Sequence, residues 1–352
     1  MTNVDRKLLI LGPSWVGDMV MSQSLIKSIK NRSPKTTIDV IAPSWSLPIS
    51  QRMSEVNKTI RSPSQHGKIN LKDTLSLSKK IRSNSYDEAI ILPRSIKSAL
   101  IPWLAKIPIR TGFRGEMRYF LINNIQPFDH KLLDQTVKRY IALCGREENE
   151  DPKSLYPKLE VDQTNKHKIL KDRNIQENIP SIGLIPGAEY GPAKKWPTSY
   201  FADVASKYLS NGWQVILLGS KSDKKDAEDI KHEINSNNEN LVDLTGETSL
   251  LDAIDVLSFL DLVLTNDSGL MHVAAAVNTP LVALYGPTSP EFTPPLTEKA
   301  ITIRKTSGYS NVRRGNTDKG YHKSLIALKP YEVIAELNNL ITKYLKSVDK
   351  IT

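Results

Sequence analysis

Three glycine-containing turns carry the residues whose types and spacing suit chemistry. The first is Gly12-Pro13-Ser14-Trp15-Val16-Gly17-Asp18. Gly12 and Gly17 let the backbone approach a ligand closely, but the G-x-G-x-x-G spacing of a dinucleotide turn is missing. Asp18 would also repel a pyrophosphate lying on the helix N-terminus that follows. Asp18 therefore has two readings: a helix N-cap, or a carboxylate that takes a proton from a hydroxyl nucleophile.

The second turn, Gly187-Ala188-Glu189-Tyr190-Gly191-Pro192-Ala193-Lys194-Lys195-Trp196-Pro197, sets two lysines beside a helix N-terminus. Lysine charge and free N–H groups together suit a diphosphate; the plainer reading is a solvated lysine pair. The third is Thr265-Asn266-Asp267-Ser268-Gly269-Leu270-Met271-His272. Ser268 and Gly269 can offer N–H groups and a hydroxyl to phosphate. Asp267 cannot favour phosphate, so it accepts from sugar hydroxyls or caps the helix. His272, one turn after Ser268 on the same face, can donate to a phosphate oxygen or serve as a structural helix histidine.

Other chemistries lack their residues. There is no HExxH, no paired CxxC, no Walker A loop, no G-x-S-x-G elbow and no cluster of metal carboxylates, so neither a metal site nor a cofactor is expected. The single cysteine, Cys144, excludes an internal disulfide and a multi-cysteine zinc site. Lys and Arg number 48 against 38 Asp and Glu, a net charge of +10 that favours anionic partners. A nucleic-acid binder is the reading from another class. Dispersed basic residues, aromatics at only 7% and the lack of any helix-turn-helix, RNP or zinc-finger pattern argue against it.

The elements that must position these turns alternate between short apolar runs and amphipathic helices, the pattern of parallel sheets covered by helices. Strands are predicted at 7–11, 37–42, 88–92 and 109–113, then at 181–185, 214–219, 241–245, 262–265 and 281–285. Helices are predicted at 19–30, 95–105 and 133–144, then at 200–210, 224–235, 250–259 and 269–277. The polar stretch 146–165, with its run Glu147-Glu148-Asn149-Glu150-Asp151, reads as a solvated connection. At 352 residues two domains are expected. They are 1–165 and 166–330, with 331–352 as a helix that packs back across the boundary through Val333, Ile334, Leu337, Leu340, Ile341 and Leu345. The fold class is α/β with two doubly wound sheets, whose ligands bind outside the strand carboxyl ends, which places function between the domains.

Once these segments are assembled, the chain resembles glycosyltransferase family 9, which has the GT-B fold of two Rossmann-like domains facing a central cleft. The resemblance runs through Gly12–Ser24 (GPSWVGDMVMSQS), Lys97–Leu100, Arg110–Tyr119 (RTGFRGEMRY), Gly187–Pro197, Thr265–Ala276 (TNDSGLMHVAAA), Leu281–Pro290, Phe292–Leu296 (FTPPL) and Gly320–Ile326 (GYHKSLI). It implies transfer of a heptose from ADP-L-glycero-D-manno-heptose onto the first heptose of the lipopolysaccharide inner core, by direct displacement with Asp18 as general base. It implies donor contacts from Glu189, Tyr190, Lys194, Ser268, Gly269 and His272, with Asp267 on the donor sugar, Asp223 on the ribose and Thr248 near adenine. Lys195 and Tyr190 stand where the family often has Arg and Phe, a change bearing on donor affinity rather than reaction type.

The implied acceptor is the lipid-linked, polyanionic heptosyl-Kdo2-lipid A, so Arg94, Lys97, Arg114, Arg118 and Arg139 are expected to offer it a basic face in the N-terminal domain. No signal peptide and no spanning segment are read in the chain. A cytoplasmic protein touching the inner face of the cytoplasmic membrane transiently is expected. A sugar-nucleotide epimerase of the same architecture is the alternative enzyme.

Overall fold

Leucine-rich and β-branched runs form two six-stranded, all-parallel sheets in the computed structural model, which describes residues 6–63, 70–145, 152–234 and 238–345. The chain divides into two units, residues 1–159 and 160–352, one sheet in each.

The first unit contains β1 (Lys7–Leu11), β2 (Thr37–Ala42), β3 (Lys58–Arg61), β4 (Glu88–Ile91), β5 (Ile109–Gly112) and β6 (Asn124–Ile125). Their spatial order is β3-β2-β1-β4-β5-β6. Helices α1 (Val16–Arg32), α2 (Leu47–Gln51), α3 (Leu71–Arg82), α4 (Ile96–Leu104) and α5 (Thr136–Ala142) cover it. Leu11 is in register with Ile41 of β2 and Ile91 of β4, so the carboxyl ends of three strands finish level. Strand order reverses between β1 and β4, and the turns that leave these two strands carry the first candidate site.

Helix α1 is buried on almost every side, including the polar Ser22, Gln23, Ser24 and Ser28. Gln23 donates to the Lys158 carbonyl and accepts the Lys158 N–H at 2.9 Å, which fastens the segment before residue 160 to the helix. Leu155 and Leu159 are buried there. The stretch read as a solvated connection is thus packed over 155–159, while residues 146–151 lie outside the described part.

The second unit contains β7 (Ser181–Ile185), β8 (Gln214–Leu217), β9 (Leu241–Asp243), β10 (Leu262–Asn266), β11 (Leu281–Tyr285) and β12 (Ala300–Arg304), in the order β12-β11-β10-β7-β8-β9. Its helices are α6 (Gln163–Asp172), α7 (Thr198–Ser210), α8 (Lys224–Ile234), α9 (Leu250–Leu257), α10 (Gly269–Ala276), α11 (Lys323–Ile326) and α12 (Pro330–Tyr344). Counted within each unit, both sheets have the order 3-2-1-4-5-6, a doubly wound arrangement of the class the sequence predicts, with six strands in each where the sequence shows four and five.

Trp196 is fully buried at the centre of the second core, edge-on to Phe201, with its indole N–H donating to the Leu328 carbonyl at 2.9 Å. The final helix, expected to pack back across the boundary, puts Val333, Leu337 and Leu340 into this same core beside Val282 and Leu284. Each such apolar side chain contributes about 1.5–3 kcal/mol by leaving water. Among the described residues no helix is long and apolar enough to cross a membrane.

Candidate active site

In the second unit the order of the strands reverses between β7 and β10, and the second and third turns meet there. The pin is Asn266, the last residue of β10, which is fully buried. Its side-chain oxygen accepts the Trp196 N–H at 3.0 Å and its amide donates to the Pro186 carbonyl at 2.7 Å. One side chain thereby fixes both ends of the lysine turn against the start of α10.

Lys194 Nζ then reaches Asp267 at 2.6 Å, and Thr288 Oγ1 donates to the same carboxylate oxygen at 2.7 Å. Asp267 is not a helix cap. Ser268 is the N-cap of α10, accepting from the Met271 N–H, and Gly269 opens the helix. The helix therefore presents its early N–H groups, a hydroxyl and a lysine together, an arrangement that suits a phosphate. His272, one turn in, is buried; desolvation pulls its pKa down to about 4, with Asp267 opposing and Lys194 adding to the fall. Above that pH the imidazole is neutral.

Asp223 lies on the neighbouring turn after β8. Its carboxylate closes a capping box with Ser220 and stands 3.5 Å from Lys195 Nζ. Lys195 also bonds Asp226 at 2.5 Å. Burial lowers the lysine pKa, but the two carboxylates outweigh it and leave the value raised. A Cβ on Gly187 would come within 2.4 Å of the Asp223 carboxyl carbon. Gly187 is thus what allows an acid to sit over the end of β7, a ribose-binding position in doubly wound sheets. Thr248 follows β9 and is half-buried, and Glu189 is exposed. Tyr190 donates to the Asn311 carbonyl at 3.3 Å, and its ring lies beneath both Lys194 and Arg313, at 5.7 and 5.4 Å.

In the first unit Asp18 is the third residue of α1, in its first turn, and Trp15 occupies the N-cap position without a side-chain cap bond. The capping reading of Asp18 therefore fails, although an acid here still suits the helix dipole. Tyr140 of α5 is its neighbour: burial, and then the Asp18 charge, push the phenol pKa well up. A pocket opens at the carboxyl ends of β1, β2 and β4, lined by Gly12, Ser14, Trp45, Ser62, Ser95 and Lys97 among others. Trp45 steadies it by donating to the Ser14 carbonyl at 2.8 Å.

The basic candidates divide. Arg94 and Arg114 are exposed and Lys97 lines the pocket. Arg94 and Arg139 both lie against the Phe128 ring, at 5.1 and 5.2 Å. Arg118 is 2% exposed, and its guanidinium donates to the carbonyls of Pro93, Ser95 and Phe113 and to Ser98 Oγ. Burial brings its pKa down to about 10, with the Arg94 charge adding to the fall. Arg118 shapes this face of the unit from within rather than presenting charge to solvent.

Residues 74–322 match the model of glycosyltransferase family 9 (heptosyltransferase). The chain belongs to this family. It is 45% identical over 344 residues to the lipopolysaccharide heptosyltransferase 2 of Salmonella typhimurium, across 96% of this chain and 99% of the relative. It is 44% identical over 346 residues to the lipooligosaccharide heptosyltransferase 2 of Haemophilus influenzae, with 96% and 99% covered. The solved ADP-heptose lps heptosyltransferase II of E. coli superposes with a TM-score of 0.85 at 42% identity, across 96% and 99% of the two chains.

As a family 9 glycosyltransferase the chain is an enzyme, and three residues to which the sequence assigns no side-chain role help to build the cradle of the second unit. Asn266 stands inside a motif, and its role comes from two hydrogen bonds, from the Trp196 backbone N–H and to the Pro186 carbonyl. Thr288 lies in the segment Leu281–Pro290 and Arg313 in none of the family-like segments; both act on residues far away in sequence. No group of three His, Cys, Asp or Glu side chains suited to a metal occurs among the described residues.

Proposed function

We propose that this family 9 enzyme is a heptosyltransferase II, moving L-glycero-D-manno-heptose from ADP-heptose onto the first heptose of the lipopolysaccharide inner core. The observation that carries this reading is 45% identity along almost the whole of a lipopolysaccharide heptosyltransferase 2. The second-unit cradle supports it: Lys194, Ser268 and the α10 amides suit a diphosphate, and the Asp267 carboxylate is an acceptor for sugar hydroxyls.

The reaction is a single displacement. The acceptor hydroxyl gives its proton to the Asp18 carboxylate while its oxygen forms a bond to the anomeric carbon. The bond from that carbon to the β-phosphate oxygen breaks, and its electron pair leaves with ADP. Lys194 and the first N–H groups of α10 stabilise the charge that grows on the phosphate; neutral His272 adds a hydrogen bond. Asp223 holds the ribose and Thr248 lies by the adenine, with Glu189 and Tyr190 bounding the donor sugar. Arg94, Lys97 and Arg114 receive the anionic acceptor, lipid-linked heptosyl-Kdo2-lipid A, in the first unit. The acceptor's lipid makes the enzyme a cytoplasmic protein that visits the inner face of the cytoplasmic membrane.

Mass spectrometry of a truncated acceptor ending in one heptose, after incubation with ADP-heptose, tests the reading. A gain of one heptose with release of ADP is expected. ADP-heptose consumed without an acceptor would point to the epimerase reading, and an unchanged acceptor would remove the proposed activity.

A further inference from the structure

We propose that the loop between β5 and β6 is an apolar wedge by which the first unit seats itself in the headgroup layer of an anionic bilayer. This deepens the membrane visit of the proposed function and rests on it. Phe120 is 91% exposed, Met117 80% and Tyr119 49%. Three large apolar side chains exposed within four residues form a patch, unlike the scattered single residues that any surface carries.

The backbone makes the same point. Met117 has a φ of 47°, in the left-handed region that glycine or asparagine enters at lower cost. A long apolar side chain held there in water recovers nothing for that cost, whereas one inserted among lipid does. The loop's base is rigid. Between the exposed residues, buried Arg118 ties the loop to the carbonyls of Pro93, Ser95 and Phe113. The Glu116 N–H donates to the Arg94 carbonyl at 3.1 Å, and Ile122 is fully buried just beyond. A preorganised tip loses little entropy on contact.

Charge selects the occupant. From residue 93 to 122 the sequence has five basic residues besides the buried Arg118 and a single acid, Glu116, whose carboxylate already accepts the Ile96 N–H at 2.8 Å. Arg94 and Arg114 are both exposed: Arg114 lies three residues before Met117, and Arg94, distant in sequence, is in direct backbone contact with the loop. Apolar groups that enter the acyl boundary and cations that stay with anionic headgroups are the two contributions to reversible bilayer binding.

Flotation of the full chain with vesicles of phosphatidylglycerol and phosphatidylethanolamine tests the wedge, with phosphatidylcholine vesicles as the neutral comparison. The parent is expected to float with the anionic vesicles and to come off as salt rises. Met117→Ser/Phe120→Ser is expected to lower the partition roughly tenfold or more, Phe120→Leu to retain most of it, and both to keep parental turnover on an acceptor stripped of its acyl chains. Equal flotation of parent and double variant, or no flotation of the parent, would overturn the wedge. So would loss of turnover on the acyl-free acceptor in the double variant, which would assign the loop to acceptor sugars, or a parental dimer that the variant abolishes. A parent that transfers nothing to the acyl-free acceptor would strike the functional reading, and flotation then decides the wedge by itself.

Discussion

Lys194 Nζ sits 2.6 Å from the Asp267 carboxylate, joining the turn after β7 to the end of β10. The pair neutralises an acid that would otherwise repel a diphosphate, and it leaves the lysine within the same cradle as the α10 amides.

Both partners are largely buried, so removing one leaves an uncompensated charge. Lys194→Ala is expected to lower stability by about 3 kcal/mol and to weaken ADP binding by about tenfold to a hundredfold. Adding Asp267→Asn should recover part of the stability, making the double variant less damaged than the sum of the singles. Urea unfolding and calorimetric ADP titration read the two effects separately. Unchanged ADP affinity in Lys194→Ala would take the lysine out of the donor site.

The pKa of His272, held near 4 by burial, predicts a pH dependence of known sign. Between about 6.5 and 4 the unfolded chain binds a proton here that the folded chain does not. Stability from this residue is therefore present above pH 6.5 and is lost as pH falls through 4, on the order of 3 kcal/mol in all. His272→Gln should show a flatter stability curve across that window; parallel curves for parent and variant would contradict the buried neutral imidazole.

Gly187 has no spare space on the side facing Asp223, where an added Cβ would approach the carboxyl carbon to 2.4 Å. Gly187→Ala should push the acid off the end of β7 and cut ADP affinity about tenfold or more through the ribose. Binding of inorganic diphosphate, which has no ribose, should change far less. An equal loss for both ligands would place Asp223 elsewhere in the site's chemistry.

For Arg118 the expected loss is structural. Arg118→Ala takes the guanidinium from the buried Phe113 carbonyl and removes one donor each from the half-buried carbonyls of Pro93 and Ser95, which Ser98 Oγ also reaches, and should cost about 2 kcal/mol. Arg118→Lys should recover little, because one ammonium cannot reproduce the planar fork. Thermal unfolding checks this, and a fully stable Arg118→Ala would return the residue to the surface.

Strands β1, β2, β7 and β11 coincide with their sequence-based ranges because all four are interior strands whose apolar side chains are enclosed. Strands β3, β6 and β12 had no such signal. β3 has the burial pattern exposed, partial, partial, exposed, and both residues of β6 are exposed, so neighbouring strands hold them through backbone bonds rather than their own burial. Helix α6 escaped for a similar reason, with Leu170 its only buried residue. At the site, motif positions were legible but the division of roles was not. Whether Asp267 or Ser268 caps α10, and whether Arg118 faces in or out, depends on contacts with residues such as Thr288 and Pro93 that lie 21 and 25 positions away.

In the proposed mechanism proton removal and donor binding fall to separate groups. Asp18→Asn, compared with the parent for turnover at saturating substrates and for ADP affinity by calorimetry, measures that separation. Turnover should fall about a thousandfold with ADP affinity within about twofold of the parent. Near-parental turnover would show that Asp18 does not take the proton, and a matching collapse of ADP affinity would show that it serves the donor instead.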